Sequence, residues 1–542
     1  MRHGRTHDIL VEMERLLAAF LIGLLFAASA AAQRAPSDYQ QTDAVLAHYP
    51  ALPDIALQSP AFAAAPPSLS NQDALMAFVA KLAGSSRHAR LTSLGPSQQG
   101  RDLPLLYLTQ EGLADPAAIA RLDRPVIWLI GQQHGNEPAG GEAMLAVASA
   151  LSSGELEPLL ARISVVIVPR GNPDGAAADR RVLASGADPN RDHLLMSQPE
   201  VRALHQAMRL LPPDVVFDHH EFSVAWRWVE KFNALQAADV MILEATHPGV
   251  PRSLTDIARR LYRPALEAAM TRHGLSSHDY VTTDATRDDG MVSLGGNAPG
   301  IARNTFGLRG SVSYLIETRG VGIGLQSYQR RVATHYLLAK ALLEASATDG
   351  GLRAAIAAAR QEAATDRSPL VVSHKVARRP FEMPLIDPHT GVAKPTPVTL
   401  ADSRTLTAVE RRERPRGYLV LRGGKPVAEA LALNDVKACE VAEAGRAAVE
   451  AYDVQRVTVE TRRESINPDQ SVRVVVRPAT IDVPQGALFV PMNQPATGIV
   501  AAALEPDSPG SYLGVGMVPM NDNESEAPVY RVMTDRRFCS PH

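Results

Sequence analysis

The sequence predicts an α/β fold, a sheet flanked by helices and followed by a smaller mostly-β region, on three observations. From about 71 to 348, short β-rich runs alternate with amphipathic stretches of helical length. Four of those runs end in clusters of polar residues able to do chemistry. From about 380 to 542 the pattern becomes short Val-rich runs separated by Pro, Gly and charged turns.

Ahead of the periodic chain, Arg15 precedes an uncharged run from Leu16 to Ala32 that ends in Ala30-Ala31-Ala32 before Gln33. This is the pattern of a signal peptide, with a retained membrane anchor as the alternative. It predicts export to the periplasm or the extracellular space, and no later stretch is apolar enough to hold the mature chain in a bilayer. Residues 33–70, rich in Pro, Ala and Ser, read as a loosely packed leader. The α/β domain spans 71–348, followed by a linker at 349–379 and a mostly-β domain of unassigned role at 380–542.

Two such domains suit 542 residues, and 45% hydrophobic with 21% charged residues is a globular composition. The net charge of -3 gives no reason to expect a nucleic-acid partner. Cys439 and Cys539 are too few for a thiolate metal site, but in an oxidising compartment they are expected to pair.

The four informative runs are Pro125 to Gly131, Ile163 to Val168, Val215 to Asp218 and Ser311 to Ile316. They lead into His134-Gly135-Asn136-Glu137, Asn172-Pro173-Asp174-Gly175, His219-His220-Glu221 and Glu317-Thr318-Arg319. Ligands of open α/β sheets bind beyond the carboxyl ends of the strands, so these clusters should converge. A helix is expected after Pro138, another opened by a Ser197–Glu200 capping box, and a long one from Tyr328 to about Ala347.

Hydrolytic zinc commonly takes two imidazoles and one carboxylate, with water at an open fourth position. His134 and Glu137 supply one of each on a single loop, although H-x-x-E alone is equally a solvated polar turn. Neighbours on a strand point to opposite faces, so only one of His219 and His220 can complete the set. Alternation alone does not say which, and Asp218 shares the face of His220 as a supporting group.

The ordered series His134-x-x-Glu137, Asn172-Pro173-Asp174-Gly175, Asn190-Arg191, Asp218-His219-His220 and Glu317 resembles the M14 metallocarboxypeptidases over roughly 71–348. The resemblance implies a mixed sheet flanked by helices and one zinc per chain held by His134, Glu137 and His220. It implies Glu317 as general base, although an ion pair with Arg319 is an alternative use of that carboxylate. Arg181 maps to the group facing the oxyanion, with Arg180 as competitor, and Asn190 with Arg191 to the clamp on a terminal carboxylate. Arg303, in Gly300-Ile301-Ala302-Arg303-Asn304, resembles a residue on the specificity side of the cleft.

The chain departs from the family in having Pro189 where a leucine is usual, and no tyrosine between Thr282 and Phe306, Tyr280 being nearest. The expected activity is hydrolysis releasing a C-terminal residue from a peptide or cell-wall peptide. A zinc deacylase of the aspartoacylase type, or an inactive binding protein on the same fold, are the alternatives.

Overall fold

The β-rich runs of the first half assemble into one eight-stranded mixed sheet. In chain order its strands are β1 (Ala89–Pro96), β2 (Asp102–Leu108), β3 (Val126–Gly131), β4 (Ser164–Val168), β5 (Val215–Ser223), β6 (Val240–Glu244), β7 (Ser277–Asp279) and β8 (Val312–Val321). Their spatial order is β1-β2-β4-β3-β5-β8-β6-β7. The centre, β4-β3-β5-β8, is parallel, while β2 pairs antiparallel with β4 and β6 antiparallel with β8. The computed structural model behind this description covers residues 38–287, 289–460, 469–521 and 524–539, so the expected signal peptide at 1–32 lies outside the described residues.

Every residue of β3 and β4 is buried, as befits strands covered on both faces. Alternation divides their side chains between two cores. Ile127, Leu129, Val165 and Ile167 pack under α1 (Pro138–Ser153) and the long helix Tyr328–Thr348. Trp128, Ile130, Val166 and Val168 pack on the opposite face against Leu204 and Met208 of Pro199–Leu210 and Phe306 of Ala302–Leu308.

Several expectations need correction. The strands β5 and β8 run through their polar clusters instead of ending before them, so His220 and Glu317 are strand residues. Ser197 does not cap a helix: its Oγ donates to Asp192 at 2.7 Å, Gln198 takes the cap position, and Glu200 accepts from the Gln98 amide. The leader is packed from Tyr39 onward, with Val45 and Tyr49 buried and the Tyr49 hydroxyl donating to Ala237 O at 2.8 Å.

The expected linker is structured as well, as the helix Leu352–Thr365 and the start of the strand Leu370–Ile386. That strand pairs antiparallel with Ala393–Arg412 and joins a five-stranded sheet with Leu235–Gln236, Val281–Thr282 and Met291–Leu294. Much of its first half is partly or wholly exposed, and that polarity made a ribbon read as a linker.

Beyond it lies the six-stranded C-terminal sheet, in which Gly445–Glu460 and Asp469–Val483 form the longest pairing. Cys439 and Cys539 are joined by a disulfide, with Cα atoms 5.8 Å apart. This region is bound to the first half by the Tyr512 hydroxyl on Leu194 O (3.1 Å) and by the Arg309–Asp435 pair (2.6 Å). Among the described residues no helix is long and apolar enough to cross a membrane.

Candidate active site

The backbone between β3 and α1 sets the first two residues of the site. Gln132 takes a positive φ of 49°, and its amide closes the turn by donating to Gly135 O at 2.8 Å. The Asn172-Pro173-Asp174-Gly175 turn packs directly on that loop: a Cβ at Gly135 would fall 1.9 Å from the carbonyl carbon of Gly175. Glycine is therefore required at 135. Asn172 braces the turn, accepting from Gly175 N at 2.8 Å and donating to the carbonyls of Arg181 and Val182. The N-P-D-G motif thus positions both the His134 loop and the segment carrying Arg181.

His134, Glu137 and His220 converge, with their ligand atoms all within 4.8 Å of one another, and all three are buried. His134 Nδ1 lies 2.8 Å from Glu137 Oε1, His220 Nδ1 lies 2.8 Å from Glu137 Oε2, and the two Nδ1 atoms are 3.0 Å apart. Two imidazole lone pairs and a carboxylate aimed at one spot form a donor set that fits a divalent cation. Burial opposes charge here, but the flanking imidazoles hold Glu137 well below the ordinary carboxylate range. Burial likewise opposes a charged His220, yet Asp218 and Glu137 raise it well above 6.5.

Each imidazole is backed by a second carboxylate. Asp188 Oδ1 stands 3.0 Å from His134 Nε2, and Asp218 Oδ2 stands 2.8 Å from His220 Nε2. Such partners fix ring orientation and raise basicity. Asp218 is itself held by Gln133 Nε2 at 2.7 Å. His219 points to the opposite face, where its Nδ1 meets His335 Nδ1 at 3.0 Å.

Glu317 pairs in register with His220 across the parallel β8–β5 ladder, which places it beside the cluster. Burial first, then the Glu137 carboxylate, push its carboxyl up to about 8. It makes no ion pair with Arg319 among the described residues. That guanidinium instead bonds Gln41 Oε1 at 2.9 Å and stacks on Tyr49 with 3.2 Å between its carbon and the ring centre.

A cleft of about 560 Å³ opens over the cluster, lined in part by His134, Glu317 and Tyr280 and by Arg181, Arg191 and Arg303. Arg181 donates to Asp188 Oδ2 at 2.9 Å and to Glu137 Oε1 at 3.3 Å, whereas Arg180 is exposed. Asn190 also lines the cleft, but its amide oxygen accepts from Ala302 N at 2.8 Å and so fixes the helix that bears Arg303. The exposed Arg191 donates to Asn190 O at 2.8 Å.

The zinc carboxypeptidase family, peptidase M14, matches residues 75–340. The chain belongs to the M14 zinc carboxypeptidases. Similarity also extends beyond that domain. Carboxypeptidase 2 of Trichophyton equinum is 26% identical over 524 residues, 92% of this chain and 94% of the relative. Carboxypeptidase 2 of Trichophyton rubrum is 26% identical over 520 residues, again 92% and 94%. The crystal structure of a metallo-carboxypeptidase from Burkholderia cenocepacia is 20% identical, covering 52% of this chain and 70% of that one with a TM-score of 0.39. This M14 carboxypeptidase is a peptide hydrolase. All eight candidate residues lie in the cluster or on the cleft wall, and Asp188, in contact with His134, had as its only sequence sign its place beside Pro189-Asn190-Arg191.

Proposed function

We propose that the chain is an exported zinc carboxypeptidase that removes one C-terminal residue from a peptide, cell-wall peptides included. The observation that carries the reading is the in-register placement of Glu317 beside a buried His134–Glu137–His220 donor set. When bound there, one zinc ion would polarise the scissile carbonyl and make the attacking water more acidic.

The chain's own residues do the rest. Glu317 takes the proton of the attacking water and returns it to the leaving amine. Arg181, on the cleft wall, offers fixed positive charge to the developing oxyanion. Arg191 takes the terminal carboxylate, and Asn190 anchors the start of the helix that bears Arg303 through Ala302 N. Asp188 and Asp218 keep the two imidazoles oriented. Among its described residues the 380–542 region has no group of His, Cys, Asp and Glu placed to hold a metal ion, and we assign it a packing or binding role.

The test compares one peptide as its free acid and as its C-terminal amide, with product release followed by mass spectrometry. Loss of one C-terminal residue from the free acid, abolished by chelation and restored by zinc, supports the reading. Internal cleavage, or equal cleavage of the amide, sinks it.

A further inference from the structure

We infer that the cleft selects substrates whose C-terminal residue is acidic, aspartate or glutamate, with Arg303 binding the side-chain carboxylate. This rests on the carboxypeptidase reading, in which Arg191 takes the α-carboxylate.

Arg303 lines the cleft yet is only 2% exposed. Its one hydrogen bond runs from Nη2 to Gly296 O at 2.6 Å, a neutral acceptor, and its buried Nε has no partner. It forms no ion pair among the described residues. A guanidinium withdrawn from water without an opposing charge is costly, and such groups are retained where a charged ligand completes them. Room has been left for it: a Cβ at Gly295 would stand 2.7 Å from Nη2.

The remaining charges on the cleft wall point the same way. Arg191 and Arg227 likewise form no ion pair among the described residues, Arg227 donating only to Thr282 Oγ1 and Thr283 O. Two acids line the wall. Glu221 is tied to Arg331 at 2.7 Å, and Glu317 serves as the base. The cleft thus carries more cationic charge than one α-carboxylate can satisfy. A second carboxylate matches the planar guanidinium of Arg303, whereas an apolar side chain would leave that guanidinium without a counter-charge and a basic one would be repelled.

The test uses the zinc-loaded, full-length enzyme on peptides that differ only in a C-terminal Glu, Gln, Leu or Lys. We expect kcat/KM for Glu to exceed that for Gln by roughly 10- to 100-fold, the range for one charge-assisted contact. Arg303→Gln should bring that ratio close to one. A purely structural Arg303 would lower all four rates together and keep their ratio. Because the buried variant could misfold, wild-type inhibition by free glutamate and free glutamine supplies a second readout, with glutamate expected to bind at least tenfold more tightly. Equal rates on Glu and Gln peptides with equal inhibition would overturn the acidic preference and leave the carboxypeptidase reading standing. Turnover of none of the free-acid peptides would overturn both.

Discussion

Asp188 Oδ1 lies 3.0 Å from Nε2 of His134, on the side of the ring opposite the Nδ1 atom that faces Glu137. Asp188→Asn should therefore weaken metal binding by roughly 10- to 100-fold, the usual cost of losing a carboxylate behind a ligating imidazole. Competition with a chromogenic zinc chelator measures it, and an unchanged affinity would remove Asp188 from the site.

His220→Ala and His219→Ala separate the two neighbours. The first should abolish stoichiometric zinc. The second should keep the metal but lose about 1–3 kcal/mol of stability, because the buried His335 Nδ1 loses its partner. Metal analysis and urea unfolding of both variants report the outcome, and full zinc in His220→Ala would reverse the assignment.

Glu317→Gln should retain the fold and the metal while kcat falls by roughly 100- to 10,000-fold, since an amide cannot take the water's proton. Turnover near that of the wild type would exclude Glu317 as the base.

Amidating the substrate's C-terminus should lower kcat/KM at least about tenfold, for a contact worth about 1.5–3 kcal/mol. Arg191→Ala should show little preference between the two forms. A preference that survives in Arg191→Ala would place the clamp elsewhere.

Acid should weaken the fold through a buried histidine pair. His193 Nδ1 lies 3.0 Å from His205 Nε2; burial lowers His193 to about 4 and depresses His205 well below 6.5. The unfolded chain therefore binds more protons than the folded one between about pH 6.5 and 4. Stability is fully present above pH 6.5 and is lost as the pH falls through that window, by on the order of 3 kcal/mol for His193. Urea midpoints from pH 8 to 4 should fall, and less steeply in His193→Gln/His205→Gln. An identical slope in the double variant would contradict this.

Legibility from sequence followed the range of the interactions. The His134–Glu137–His220 cluster could be read because H-x-x-E is local and the D-x-H strand end of the family it resembles picks His220 over its strand neighbour His219. Glu317 could be read because a β-rich run leads straight into it. Asp188 could not, because its target lies 54 positions away and no periodicity reports such a contact. The segment from Tyr39 was misjudged for the same reason: Tyr49 is buried by Ala237 and Arg319, far along the chain. The ribbon starting at Leu370 was misjudged because a strand with one wet face reads as polar chain until its partner is known.

The backbone contact between Gly135 and Gly175 makes two motifs, distant in sequence, a single mechanical part. An added methyl at 135 cannot be absorbed by a rotamer change, because it meets main chain on the far side. It would drive the turn outward, and that turn holds the carbonyl of Arg181 through Asn172. The imidazole of His134 and the guanidinium of Arg181 would then be displaced by one substitution that touches neither. A chain of this lineage that had abandoned catalysis could therefore keep every ligand and still be recognised by the loss of either glycine.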